Sequence, residues 1–511
     1  MLVTQEKKYV SIFIAPTIDL TLSLEPNERG VAGTIGKITW GNPHYIRTLA
    51  QSTEDLKTTI PARGGDALNE FAYHLSDFFN GYQGKVLVGR LLGEDSYTFA
   101  QLVKKDNATG LFYFDNTSEQ VNIFGADNIT DWADTFPTQL LEVLVTAVPT
   151  ETFSIDIENK NDFLTIKLYD KSGNEVYRVD GGAKFDSVDD YGNPNYIGNR
   201  TDDKILSIKV DTQHPDYTSD FELSDECDCG LVNDDGNTNY DNALSVLANV
   251  IEQCDYSFTG GLTDTESIKK LRGLTYGAKV LLAVDVMGKT LTDALQFKNA
   301  IGISESDITY LWNRGKDDFE AGDLNIGLSG WLVGQAINRN MSRLVDGVVE
   351  YRVEGVAGVD YPLPRTKAQD LGKLSDEDLT SLTENRLNTV RMFGNILVLG
   401  DCLSGEMRNV ASRLFPVTEG NFFINRSIAN ILIQMLFKNL NEAQAFTLAE
   451  VTKLFDRCAR NNYFDANAET QYDFQVTTKD NDTVVVKYRY VPSGVMRRGV
   501  IEGTLTKKIQ K

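Results

Sequence analysis

Gly30-Val-Ala-Gly-Thr-Ile-Gly-Lys-Ile-Thr-Trp40 and Lys85-Val-Leu-Val-Gly-Arg-Leu-Leu92 are the two stretches whose reading decides the fold class. Each is a short, mostly apolar run of strand length, and the first is closed by the turn residues Gly41-Asn42-Pro43. The second is apolar at successive positions and so has no solvent face, as expected of a strand in a covered, parallel sheet. Between them Asp66 can cap a helix whose apolar face is Leu68, Phe71, Ala72, Leu75, Phe78 and Phe79, with Gly81 as its stop. Residues 30–92 therefore read as a strand–helix–strand unit.

The same rhythm returns after residue 240. Leu244, Leu247, Val250 and Ile251 recur at helical spacing over 243–254, and Lys279-Val-Leu-Leu-Ala-Val-Asp285 and Asn395-Ile-Leu-Val-Leu-Gly400 read as buried strands. Helices follow at 427–437 and 446–460. Residues 94–240 differ. Phe153-Ser-Ile-Asp-Ile157, Phe163-Leu-Thr-Ile-Lys-Leu-Tyr169 and Val176-Tyr-Arg-Val179 alternate as strands do, and Ser172-Gly173-Asn174 is a hairpin turn between the last two. The expected fold is mixed α/β (α+β), with a core domain built from the N- and C-terminal parts of the chain and a β-rich inserted domain. The expected boundaries are 1–25, 26–93, 94–240, 241–482 and 483–511.

Both ends read as extended strands. Ile18, Leu20, Leu22 and Leu24 alternate with Asp19, Thr21 and Ser23, and Val484, Val486, Tyr488 and Tyr490 alternate in the same way near the other end, followed by Val500-Ile-Glu-Gly-Thr-Leu-Thr506. Neither segment is expected to have a local partner. Unpaired strands are liabilities unless used, and donation to a neighbouring molecule is a common use. Pairing inside the same subunit is the alternative.

The chain has 511 residues, enough for about three domains, and a 41% apolar fraction sufficient for sizeable cores. Its formal net charge is −23. That charge is uneven: residues 1–93 are neutral, 94–240 carry −20, 241–445 carry −6 and 446–511 carry +3. A surface this acidic does not coat nucleic acid, so no direct nucleic-acid partner is expected. The longest apolar runs fall far short of the roughly 20 residues that span a bilayer, so no membrane insertion is expected. No signal peptide is visible at the start. Five cysteines in a chain this long fit a reducing compartment.

Candidate chemistry is thin. Gly30-x-x-Gly33-x-x-Gly36 resembles a phosphate loop but lies within a strand instead of opening a helix, so close packing is the expected role. Val284-Asp285-Val-Met-Gly-Lys289 has a strand-end acid but no phosphate-loop motif beside it. Cys227-Asp-Cys229 lacks a second cysteine pair, and the histidines number three: His44, His74 and His214. Asn233-Asp-Asp-Gly-Asn fails the calcium-loop pattern at Leu231 and Asn242. No catalysis, cofactor or metal is expected. The helix at 446–460 does stand out. It places Leu448, Val451, Phe455 and Cys458 on one face and the bases Lys453, Arg457 and Arg460 on another, a docking face for an acidic partner. An ordinary solvated face is the alternative.

Taken in order, these segments resemble the tail sheath proteins of contractile bacteriophages and related contractile injection systems. The similar stretches are Arg29-Gly-Val-Ala-Gly-Thr-Ile-Gly36 with Trp40-Gly-Asn-Pro43, residues 67–79, Val86-Leu-Val-Gly-Arg90 and residues 278–285. Gly327-Leu-Ser-Gly-Trp331 to Gly355-Val-Ala-Gly-Val359, Arg386-Leu-Asn-Thr-Val-Arg391 through Gly400, residues 427–437 and Ile501-Glu-Gly-Thr-Leu505 complete the series. The likeness covers most of the chain outside 94–240. It departs at Gly400-Asp-Cys-Leu-Ser404, where no contact residue is placed.

The resemblance implies a structural subunit, not an enzyme, that polymerises as stacked hexameric rings around a tail tube and contracts to drive the tube through a target envelope for genome ejection. It implies linking arms at 1–25 and 483–511, an outward-facing insertion, and a tube-facing helix at 446–460 touching the tube through Lys453, Arg457 and Arg460. Tail tube, baseplate and tail terminator proteins are the implied partners, and a virion tail assembled in the bacterial host cytoplasm is the implied location. The sheath of a phage-derived bacteriocin or injection particle fits equally well. Another self-assembling protein, such as a surface-layer or capsid-associated subunit, is the main alternative.

Overall fold

The computed structural model describes residues 30–50, 70–115, 120–124, 140–150, 152–189, 191–227, 238–313, 326–342, 344–345, 348–349, 353–363 and 374–495. They fall into two compact units, one within 29–275 and 318–334, the other within 276–317 and 335–511. The N-terminal segment with Ile18, Leu20, Leu22 and Leu24, the cap Asp66, and residues 496–511 lie outside the described residues.

In the first unit, Val31–Gly36 (β1), Arg47–Ala50 (β2), Glu70–Gly81 (α1) and Lys85–Arg90 (β3) form the expected strand–helix–strand unit, with β2 as an added edge. β1 and β3 pair in parallel from Val31 with Lys85 to Gly36 with Arg90, and β2 runs antiparallel to β3. Strand residues three apart point to opposite faces. A Cβ at Gly33 would lie 2.7 Å from Cys254 Sγ, and one at Gly36 would lie 2.5 Å from the Phe71 ring. Both faces of β1 are covered at van der Waals contact, so these glycines serve packing.

The segment after Gly93 builds two antiparallel sheets. Its strands are Tyr97–Lys105 (β4), Phe112–Asp115 (β5), Gln120–Asn122 (β6), Leu141–Leu144 (β7), Phe153–Lys160 (β8), Phe163–Tyr169 (β9), Glu175–Gly182 (β10), Ser207–Val210 (β11) and Asp220–Cys227 (β12). One sheet runs β11-β7-β4-β5, with β6 also on β4, and the other β10-β9-β8-β12. Alternate side chains of β8 and β9 meet Val103, Leu141 and Val143 of the facing sheet in one apolar core. The β8–β9 turn uses Asn161 and Asp162 at φ 53° and 65°, a left-handed pair suited to a two-residue hairpin. The β9–β10 turn is the expected one. Asp170 Oδ1 accepts from Ser172 N at 2.9 Å and Asn174 N at 2.8 Å, with Gly173 at φ 78°.

This segment is tied to the strand–helix–strand part where it enters and where it leaves. Trp40 sits in the sandwich core, edge-on to Phe153 at 6.2 Å. The buried Arg90 guanidinium donates to Ile38 O at 3.0 Å and Ala147 O at 2.9 Å. Gly41 N donates to the same Ala147 O at 2.7 Å, and Asn239 N to Leu92 O at 2.8 Å. Tyr240–Ala248 (α2) then crosses β3, its Ala243 carbonyl only 2.5 Å from where a Cβ on Gly89 would be. The helix expected over 243–254 ends early, at the C-cap Asn249, and Ile251–Gln253 form a separate 3-10 turn because Val250 adopts φ −127°. Tyr256–Phe258 (β13) joins β1 in parallel, and Thr265–Ala278 (α3) follows.

In the second unit, Leu281–Asp285 (β14), Leu291–Ile301 (α4) and Ile308–Trp312 (β15) repeat the rhythm, both strands buried throughout. Thr290 and Asp293 close a capping box on α4, and Gly302 ends it at φ 68°. Ser329–Met341 (α5), Leu344–Val345 (β16), Val348–Val349 (β17) and Asp376–Glu384 (α6) lead to Leu387–Phe393 (β18) and Ile396–Leu399 (β19). The strand order is β19-β18-β15-β14, parallel but for β19, which turns back on β18 through Gly394. Arg339 on α5 is ion-paired with Glu419, both 2% exposed, and Asn340 Nδ2 donates to the same carboxylate at 2.9 Å.

The chain then forms two long helices, Phe415–Gln434 (α7) and Leu440–Arg460 (α8), and a hairpin of Tyr472–Lys479 (β20) and Thr483–Tyr490 (β21). α7 starts twelve residues before the helix expected at 427–437 and stops sooner, since Phe437 is left-handed at φ 62°.

Candidate assembly surfaces

The hairpin corrects one expectation. Residues 483–490 do have a local partner: β21 pairs antiparallel with β20 from Tyr472 with Tyr490 to Lys479 with Thr483. The signal was present in Tyr472-Asp-Phe-Gln-Val476, which alternates, and in the polar Asp480-Asn-Asp482 turn, where Asp480 takes φ 57°. Val486, Tyr488 and Tyr490 face the helices together with Tyr472 and Phe474.

Phe455 of α8 is the centre of that packing. Its ring lies 5.4 Å from Tyr472, 5.2 Å from Phe474, 5.6 Å from Tyr488 and 5.7 Å from Phe464. The phenols have polar anchors: Tyr488 OH donates to Asn425 Oδ1 at 2.6 Å, and Tyr463 OH to Val417 O at 3.1 Å. Burial pushes the Tyr490 phenol and the Cys458 thiol up to about 12. Tyr472 reaches about 12 mainly because its OH donates to the Asp456 carboxylate, and burial raises Tyr488 as well. Among the described residues the β20–β21 sheet stops at two strands, so each strand turns one hydrogen-bonding edge away from the other.

α8 begins at Asn439, whose side chain accepts from Asn441 N at 3.0 Å. It buries Ala443, Thr447, Val451, Leu454, Phe455 and Cys458. Leu448, expected on this face, is 47% exposed, because it lies at the rim of the buried arc. Lys453, Arg457 and Arg460 follow one another at helical spacing on the far side. The Lys453 ammonium pairs with Glu450 at 2.6 Å, and Arg457 and Arg460 occupy the last turn, where the helix dipole favours cations.

The other candidates are structural. His74 is fully buried, 3.5 Å from Glu70, and the His44 Nε2 lies 2.9 Å from Ile123 O. Asp285 is buried at the end of β14, and Cys227 is buried in the sandwich. Cys229 and residues 233–237 lie outside the described residues. Among the described residues no three His, Cys, Asp or Glu side chains converge as a metal site, and no helix is long and apolar enough to cross a membrane.

No family model and no curated protein matches the sequence. Solved structures do. A sheath tail protein of Listeria innocua superimposes with a TM-score of 0.55 at 12% identity, over 91% of this chain and 92% of that one. A sheath tail protein of Desulfitobacterium hafniense gives 0.48 at 10% identity, over 94% and 100%. The helical sheath of the anti-feeding prophage in its contracted state gives 0.40 at 16% identity, over 51% and 74%. The first likeness spans more than nine-tenths of both chains. This chain has the fold of a sheath tail protein.

Proposed function

We propose that this chain is the structural subunit of a contractile tail sheath. Copies stack as hexameric rings around an inner tube, and a signal from the baseplate releases them into a contracted lattice that drives the tube through an envelope and ejects the genome. Assembly takes place in a bacterial host cytoplasm, and the terminator and tube proteins cap and fill the sheath. The observation that carries this reading is the shared fold over nearly the whole length of a sheath tail protein. The two-stranded hairpin with outward edges supports it, since such edges take up strands from neighbouring molecules.

Residues 1–25 and the C-terminal segment from 483 are the linking arms in this reading. Tyr488 and Tyr490 secure the hairpin to α7 and α8. Lys453, Arg457 and Arg460 face the tube. The driving energy is many small contact gains, each net hydrogen bond contributing about 1 kcal/mol, summed over many copies.

Negative-stain electron microscopy of the purified chain tests the reading. Striated hollow cylinders of uniform diameter support it, whereas flat lattices or closed shells overturn it. Two variants test its parts. Deleting 1–25 is expected to leave folded subunits that no longer form cylinders. Replacing Lys453, Arg457 and Arg460 together by Glu is expected to abolish attachment to the tube while cylinders still form.

A further inference from the structure

One edge of the second unit's sheet is closed by an irregular segment. β19 is the last strand of that sheet among the described residues, and Asn395-Ile-Leu-Val-Leu-Gly400 is apolar at its centre and carries no charge. Met392, Phe393 and Ile396, at the adjoining β18–β19 turn, are exposed. A bare edge of this composition is a template for pairing with another chain. Residues 353–363 lie along it. Gly358 N donates to Leu399 O at 3.0 Å, Leu363 N donates to Leu397 O at 2.9 Å, and Pro362 bridges Val398 in the antiparallel sense.

This segment is held in place yet shaped against further pairing. Val356 and Leu363 are buried at its two ends, and Arg339, ion-paired with Glu419, also donates to Glu354 O. A Cβ on Gly355 would lie 3.2 Å from Cys402 Cβ, so the seat is close. Between the ends the chain bends: Tyr361 N donates to Gly358 O at 3.2 Å, and Gly358 takes φ 88°. The bend leaves exposed Val359 and Asp360 at its tip. Backbone groups alternate in direction along an extended chain. Leu363 N points at β19, so the preceding position points away from it. Pro362 stands there, exposed and with no N–H to offer. We propose that residues 353–363 are an edge guard: they occupy the β19 edge and turn a donor-free face outward, so that a second copy does not extend this sheet. The inference goes beyond the sheath reading and does not depend on it. In that reading, where many copies pack closely, the guard confines strand exchange to the β20–β21 hairpin.

The test uses the full-length chain in the soluble fraction, with a photo-reactive phenylalanine in place of the exposed Val359. Pro362→Val returns a donor to the outward edge. It is expected to raise the crosslinked-dimer fraction at least about fivefold, the value of one added net hydrogen bond. The crosslinked peptides are expected to fall within 353–363 or 387–399 of a second copy. Gly358→Val forces a β-branched residue into a left-handed position and lifts the turn. Faster amide exchange over 396–399 and the same crosslinks are expected from it. An unchanged melting temperature shows that Pro362→Val folds; if it falls, Gly358→Val decides by the same readout. A folded variant with no rise in crosslinking, or with crosslinks to another segment or another protein, overturns the guard and leaves the sheath reading intact. The readout needs no cylinders, so a chain that forms none tells against the sheath reading alone.

Discussion

The inserted sandwich and the C-terminal helix–hairpin module use β-structure in opposite ways. In the sandwich, two sheets face each other and enclose their own apolar core, so strands such as β8 have neighbours on both sides. In the C-terminal module a single hairpin lies on two helices, and its apolar face is closed by Phe455 and the tyrosines. The first is strongly acidic; the second is close to neutral and keeps two strand edges turned outward. A sheet packed on a second sheet has its apolar face enclosed, and a sheet left at two strands among the described residues keeps hydrogen-bonding edges outward. Charge divides along the same line.

Breaking the helix–hairpin packing gives the largest expected effect. Phe455→Ala empties the middle of an aromatic cluster and should cost about 3–5 kcal/mol. Hydrogen exchange should then show residues 472–490 losing protection while 153–169 keep theirs; equal loss in both regions contradicts the division. The reciprocal change, Ile166→Ala in the sandwich core, should cost about 2–5 kcal/mol, with protection lost over 153–182 and kept over 440–490. Denaturant unfolding of both variants compares the two costs.

A smaller effect separates the regions by pH. The Tyr472, Tyr488 and Tyr490 phenols are raised above their ordinary value of 10.0, so the folded module prefers them protonated. The stability from this preference is complete below pH 10, the unfolded value, and is lost as pH rises towards 12. Spectrophotometric titration of tyrosinate should show a class ionising only as the helix–hairpin module unfolds. Replacing Tyr488 and Tyr490 by Phe should shrink that class and leave the Tyr217 phenol of the sandwich, raised to about 12 by burial, in place. The smallest effect belongs to Lys453→Ala. An exposed i,i+3 pair with Glu450 contributes no more than about 0.5 kcal/mol, so the melting temperature should barely move. A large drop would mean that the residue is part of the packing and not of a docking stripe.

Local chemistry alone determined a good deal of this protein. The alternation in Phe153–Lys160, Phe163–Tyr169 and Thr483–Tyr490 specified strands, since period two buries one face whatever lies beneath it. Ser172-Gly173-Asn174 specified a turn, and the apolar stripe ending at Gly81 specified α1. The glycines of β1 were legible as packing glycines because no helix opens behind them. The bases of α8 were legible as a stripe, because helical spacing is local. Tertiary structure decided the rest. Whether Thr483–Tyr490 stays unpaired depended on a second strand that alternates only in its first half, Tyr472 to Val476, so the sequence held a partial signal and the register settled the pairing. Leu448 lies at the rim of the buried arc of α8, where the neighbouring surface decides its exposure and spacing does not. That Trp40 and Arg90 secure the insertion to β1 and β3 required residues more than fifty positions apart to meet. Periodicity and turn chemistry act over a few residues and survive in any context, whereas partner choice, burial at a rim and the closing of a core are set by which surfaces the folded chain brings together.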